Sequence, residues 1–92
     1  MIHIRKLKVD GVLLPGSDLS LLAIRPKSPV ESDGHLSVVL AWNSRKSEYV
    51  TWVYNWSDFS CNHGHYFPVR NEMESTASYA AASKDFDERS AR

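Results

Sequence analysis

The sequence between Tyr49 and Phe67 reads YVTWVYNWSDFSCNHGHYF. This segment contains most of the aromatic residues of the chain, its only cysteine and two of its four histidines. The residues on either side of the polar break at 55–58 alternate as they do in strands. The pattern predicts a long aromatic β-hairpin, with Trp56 at its tip, around which the other elements are arranged.

Shorter apolar segments before the hairpin extend the sheet. Ile2 to Arg5 alternates between apolar and polar residues, Leu19 to Ile24 is an apolar run that ends at a proline, and His35 to Trp42 again has strand character. The connections between these segments are too short for crossover helices. We therefore expect an antiparallel meander of about five strands, all within residues 2–67.

The character of the sequence changes at Asn71. This residue stands three positions before Glu74, as in a capping box, and several alanines follow. Tyr79, Ala82 and Phe86 recur at the spacing of one narrow apolar helical stripe. The pattern predicts a helix over about residues 71–90 that packs on the sheet, and so a single α+β domain over residues 1–92.

Composition limits the classes of function. The 92 residues include 11 basic and 11 acidic side chains, so no long-range field attracts nucleic acid or an anionic membrane. No apolar run approaches the roughly 20 residues of a membrane span, and the N-terminal residues do not resemble a signal peptide. A lone cysteine excludes an intramolecular disulfide. We expect a cytoplasmic protein without a membrane partner.

Cys61, His63 and His65 form a candidate metal site. At a spacing of two in an extended strand, all three side chains project from one face, and thiolate and imidazole are good zinc ligands. His3 or His35 could complete the tetrahedron. The alternative, which we favour, is two histidines hydrogen-bonded at a sheet margin beside a small buried cysteine. We expect no cofactor.

The sequence lacks the common catalytic signatures. It contains no G-x-S-x-G, phosphate-binding loop, dinucleotide fingerprint or H-E-x-x-H. Cys61 and a nearby histidine could form a nucleophile and base, but no helix N-terminus or glycine run accompanies them. We therefore expect a binding protein rather than an enzyme.

Trp56 is the aromatic residue that is hardest to bury internally if it lies at the hairpin tip. Tryptophan is an effective interface anchor because it removes a large area from water at low entropic cost. The alternative is a tip that folds back on its own sheet. The expected partner-binding residues lie in the hairpin and in the charged 26–34 loop: Tyr54, Trp56, Asp58, Lys27, Glu31 and Asp33.

Three short segments carry a resemblance. They are Tyr49 to Trp52 (YVTW), Gly64 to Phe67 (GHYF) and Asp85 to Arg89 (DFDER). Together they resemble a loose group of small phage and mobile-element proteins with a D-F-x-x-R helix ending. This chain differs from that group in its longer 69–76 connection and in Asn62-His63. The resemblance implies a compact sheet-plus-helix domain from an accessory gene.

The accessory setting suggests two ways of acting. Such proteins often occupy the surface of a host protein or sequester a signalling nucleotide. We expect the first: a non-enzymatic inhibitor or modulator of a host protein, for example a defence effector of the CRISPR type. The alternatives are a dimeric nucleotide sponge using Arg45 or Lys46 and aromatic stacking, and a zinc-stabilised nucleic-acid-binding module.

Overall fold

The structure, a computed structural model, describes residues 2–3, 19–26, 36–57 and 60–91, with the backbone alone for residues 2 and 3. These residues form strands and one helix, listed in chain order: β1 (Ile2–His3), β2 (Leu19–Arg25), β3 (Leu36–Asn43), β4 (Glu48–Asn55), β5 (Ser60–Pro68) and α1 (Glu72–Ser90).

The strands form one antiparallel sheet in the order β1-β5-β4-β3-β2. β2 to β5 follow one another as a meander, and α1 packs on it, which confirms the predicted α+β class. The meander has four strands rather than about five. The short β1 does not lie next to β2 in the sheet. It pairs with β5, the last strand in the chain, and Ile2 lies opposite Cys61.

The two faces of the sheet carry separate buried clusters. On the face that α1 covers, here the helix face, Val38 and Leu40 pack with residues of the helix. On the opposite face, Val39 and Trp52 belong to a larger cluster. Alternation along β3 and β4 produces this division, since successive side chains project to opposite faces. Both faces of the central strands are therefore core.

The start of α1 follows its sequence signals. The Asn71 side chain accepts a hydrogen bond of 3.1 Å from the Glu74 N–H, and the Glu74 carboxylate accepts one of 3.1 Å from the Arg70 N–H. Ala82 and Phe86 are buried, which confirms these two members of the expected stripe. α1 does not have the length and apolar character that a membrane-spanning helix needs.

Candidate functional site

The hairpin tip does not stand free of the sheet. Tyr54 is completely buried on the opposite face, and the partly buried Trp56 ring lies edge-on against it, with centroids 4.9 Å apart. The Trp56 indole N–H donates a 2.8 Å hydrogen bond to the Ser37 hydroxyl, which donates in turn to the Pro26 carbonyl. Of the two alternatives for the tip, the structure shows the one in which it folds back on its own sheet, because the indole finds both an apolar surface and an acceptor there.

The remaining residues of the expected partner-binding set lie outside the described residues. They are Asp58, Lys27, Glu31 and Asp33. His35, one of the two further zinc ligands considered, lies outside them as well, and only the backbone of His3 is described. The structure therefore places no side chain of this group.

A β-bulge in β5 changes which residues share a face. Thr51 of β4 lies opposite His65, whereas Val53 lies opposite Asn62. His63 and Gly64 therefore both stand against Trp52, and His63 adopts a positive φ of 55°. Such a bulge inserts one residue and moves every later side chain to the other face.

Glycine suits position 64 of the bulge because a Cβ atom there would collide with two neighbouring rings. A Cβ atom there would lie 2.5 Å from the Tyr66 hydroxyl oxygen and 2.8 Å from Trp52 Nε1. The two rings meet edge-on over the glycine on the opposite face. Close packing of the two rings accounts for glycine at this position.

The bulge separates the three candidate zinc ligands. Cys61 pairs with Tyr54 and lies in the core of the opposite face, whereas His65 pairs with Thr51 on the helix face. Among the described residues, no group of three or more histidine, cysteine or acidic side chains could hold a metal ion. Burial also raises the pKa of the Cys61 thiol to about 12, which opposes thiolate formation. The prediction that these side chains share one face was wrong.

The helix face instead contains a polar network between α1 and the sheet. The Thr51 hydroxyl donates a 2.5 Å hydrogen bond to the Asp85 carboxylate, and His65 Nδ1 lies 3.0 Å from the same carboxylate oxygen. Arg89 donates to the Thr51 hydroxyl at 2.9 Å and to the His63 carbonyl at 2.7 Å. One arginine therefore ties both α1 and β4 to the bulge.

Two opposing effects act on the pKa of Asp85. Burial raises it, whereas hydrogen bonds from Thr51 and His65, and the charges of His65 and Arg89, lower it. The hydrogen bonds and charges together outweigh the effect of burial, so the pKa of Asp85 lies below its ordinary value of 3.8. The carboxylate is held in its charged form at neutral pH.

The network does not have the arrangement of a catalytic triad. A nucleophile should donate to a base that a third group orients. Here the Thr51 hydroxyl donates to Asp85 directly, and His65 contacts the carboxylate rather than the hydroxyl. Thr51 is also completely buried. The arrangement acts as a connection between helix and sheet.

Beside this network the helix face contains a trough, here called the cationic trough. Its first part, of about 360 Å³, is lined by Val38, Val53, His63, His65 and Arg89. Its second part, of about 260 Å³, shares Val38, Val53 and Arg89 and continues past Leu36, Ser37 and Ser90 to Arg25 and Pro26. The lining therefore combines apolar side chains with two arginines and two histidines.

A second depression, here called the aromatic groove, lies near the other end of α1. It has a volume of about 410 Å³ and is lined by Ser20, Leu22, Trp42, Tyr49 and Tyr79. The Tyr49 ring lies 4.7 Å from the Trp42 ring and 5.3 Å from the Tyr79 ring. Tyr79 is 47% exposed. The structure thus brings together a partly exposed aromatic cluster that does not include the hairpin tip.

Sequence reasoning did not bring the residues of the groove or of the network together, although signals for both were present. Trp42 and Tyr49 flank the 43–48 turn symmetrically, as cross-strand partners do. Asp85 and Arg89 are four residues apart and so share one helix face. The network also draws one member or more from each of the three segments that carry the phage-protein resemblance.

No protein-family model, no curated protein and no solved structure matches this chain. The resemblance to small phage and mobile-element proteins therefore stays a prediction.

Proposed function

We propose that this chain is a non-enzymatic binding protein that holds a partner protein in the aromatic groove. The observation that carries the proposal is the cluster of Trp42, Tyr49 and Tyr79, whose rings contact one another beside an open depression. Tryptophan and tyrosine dominate the energetics of protein interfaces because they offer a large, rigid area with a polar edge. We therefore assign the partner contact to this groove instead of to the hairpin tip.

The lining of the groove favours a protein side chain as its occupant. None of the five lining residues is charged, so the groove offers apolar area and hydroxyl groups but no counter-charge for a phosphate. The exposed Arg45 and Lys46 lie in the adjacent turn, at the rim. A fitting partner presents an apolar or aromatic side chain with acidic neighbours, since rim charges steer association.

Within the part of the chain that the structure describes, neither Cys61 nor Thr51 is an activated nucleophile, which supports a binding role. The Cys61 thiol is buried with a raised pKa, and the Thr51 hydroxyl is engaged by Asp85 and Arg89. The partner class that the phage-protein resemblance suggests is a host protein, for example a defence effector. Inhibition of that protein would follow from occupying its surface.

The test is an affinity capture from host lysate with three tagged forms of the protein: wild type, Tyr79→Ala and Tyr66→Ala. Tyr66 is the matched control because it is 57% exposed but contacts Trp52 on the opposite face. We expect wild type and Tyr66→Ala to retain the same protein, and Tyr79→Ala to lose about 2 kcal/mol of binding free energy or more.

Equal retention by Tyr79→Ala and wild type would rule out the groove as the contact surface. A dimeric nucleotide sponge is the second candidate, favoured by the exposed Arg45 and Lys46 in the turn between the strands that carry Trp42 and Tyr49. It predicts a rise in melting temperature with cyclic dinucleotides that Arg45→Gln abolishes, together with no captured protein.

A further inference from the structure

We infer that the cationic trough binds a small phosphate-bearing ligand, of the size of a phosphate monoester such as a mononucleotide. This site is separate from the aromatic groove, and the inference does not depend on the proposed protein partner. It rests on the lining of the trough, on the way Arg89 is held, and on the engagement of the neighbouring carboxylates.

The trough offers several donors to an anion. Arg89 lines both parts of the trough, Arg25 lines the second part, and His63 and His65 of β5 line the first part. Guanidinium groups suit phosphate because their N–H groups form a planar fork that can bind two oxygens. The local concentration of cationic and imidazole groups matters here, since the chain as a whole has no net charge.

Arg89 is held in place before any ligand arrives. Its guanidinium group donates to the Thr51 hydroxyl and to the carbonyls of Thr51 and His63, and its side chain is only 14% exposed. These acceptors are uncharged, and the nearest Asp85 oxygen lies 3.9 Å away. Uncharged acceptors therefore fix the positive charge in position, and Asp85 adds an ion pair at a longer distance.

The two carboxylates near the basic groups do not prevent an anion from binding. Asp85 is engaged by Thr51 and His65, which accounts for both of its oxygens. Asp87 contacts Arg25 at 2.9 Å, but both side chains are mostly exposed, at 63% and 59%. Ion pairs between exposed side chains contribute little to stability, so a phosphate can displace Asp87 from Arg25.

The apolar lining of the trough suits the organic part of the ligand. Val38 and Val53 line both the part that contains the histidines and the part that contains Arg25. A phosphate alone would leave this apolar surface uncovered. A phosphate monoester would place its phosphate against the arginines and its organic group over the valines, as is common in small-molecule pockets.

The test is a titration of the full chain with adenosine monophosphate, inorganic phosphate and adenosine, followed by NMR of the histidine ring protons. The variants are Arg25→Gln and His63→Gln, both at exposed positions. The control is Arg70→Gln, because Arg70 is exposed and lines neither the cationic trough nor the aromatic groove. We expect saturable shifts of His63 and His65 with the two phosphate-bearing probes and none with adenosine. Arg25→Gln and His63→Gln should each weaken binding about tenfold, and Arg70→Gln should leave it unchanged.

Tighter binding of the mononucleotide than of inorganic phosphate would support contact of the organic group with the valines, and equal binding would support a site for phosphate alone. Three results would overturn the inference. They are no saturation at millimolar phosphate, equal binding of adenosine, and equal weakening by Arg70→Gln and Arg25→Gln. The last would show that diffuse surface charge holds the probe.

Discussion

At the scale of single residues, local partners decide which polar and aromatic side chains belong to the core. The Trp56 indole is drawn to the sheet by the buried Ser37 hydroxyl, and the buried Thr51 hydroxyl is satisfied by Asp85. Among the described residues, no buried side-chain nitrogen or oxygen lacks a hydrogen-bond partner. This agrees with the cost of leaving such a group unpaired in a protein interior.

Trp56→Ala should therefore destabilise the fold. The substitution removes a ring that packs against Tyr54 and a hydrogen bond to Ser37, so we expect a loss of about 2–4 kcal/mol in the free energy of unfolding. Urea denaturation measures it. Trp56→Phe, which keeps most of the ring contact, should cost less, and a loss below about 1 kcal/mol for Trp56→Ala would mean that the tip is exposed after all.

Asp85→Asn should change the pH dependence of stability. The pKa of Asp85 is lowered in the folded state, so its charged form contributes stability above the unfolded pKa of 3.8. That contribution is lost as the pH falls through the folded pKa. We expect the variant to be less stable than wild type by about 1–3 kcal/mol at pH 7.

Urea denaturation of both proteins between pH 7 and pH 2 would show this effect. The difference between wild type and Asp85→Asn should stay constant at neutral pH and shrink below pH 3.8, the ordinary pKa. A difference that does not change across this range would show that the carboxylate charge plays no part in the network.

At the scale of elements, α1 is attached to the sheet mainly by its C-terminal half. Ala82 and Phe86 are buried against the sheet, and Arg89 reaches the bulge in β5. Near the N-terminus, Met73 is 91% exposed, and the capping interactions of Asn71 and Glu74 hold the first turn. The C-terminal half of α1 therefore provides most of the packing against the sheet, and the first turn provides the capping interactions.

Phe86→Ala should detach much of the helix. It empties a buried site beneath the Arg25 guanidinium group, which lies 4.9 Å from the Phe86 ring centroid, and should cost about 3–5 kcal/mol. Met73→Ala is the matched control on the exposed part of the helix and should stay within about 0.5 kcal/mol of wild type. Chemical denaturation followed by circular dichroism compares them, and equal effects would contradict the described attachment.

At the scale of the whole molecule, both faces of the central strands are buried. Leu40 packs on the helix face, while Val39, Trp52 and Cys61 pack on the opposite face. A side chain in either cluster reaches solvent only when the structure opens. Cys61, which is 1% exposed, is therefore a probe of that opening.

Cys61 should react slowly with a disulfide reagent in the native protein. The thiolate is the reactive form, and a pKa of about 12 in place of 9.0 lowers its population at pH 8. The difference of three pH units corresponds to roughly a thousandfold slower labelling from ionisation alone. Absorbance of the released thiol reagent, with and without denaturant, measures the ratio. Fast labelling of the native protein would show that the opposite face is accessible.

The sequence by itself determined the type and order of the main elements. Alternation in the aromatic hairpin predicted β4 and β5, and the capping signal at Asn71 predicted the start of α1, because both depend on local periodicity and on backbone groups a few residues apart. The class of fold followed from the shortness of the connections. The spacing of Ala82 and Phe86 also predicted that these two helix residues face the sheet.

Only the tertiary structure decided what shares a face and what reaches solvent. The single extra residue in the β5 bulge separates Cys61 from His65, and no periodicity predicts it, because the packing of Trp52 and Tyr66 over Gly64 accounts for it. The Trp56 tip folds back because Ser37, 19 residues away in the chain, offers an acceptor. The aromatic groove and the cationic trough likewise join β2, β3 and β4 to α1, and such contacts between distant segments arise only when the chain is folded.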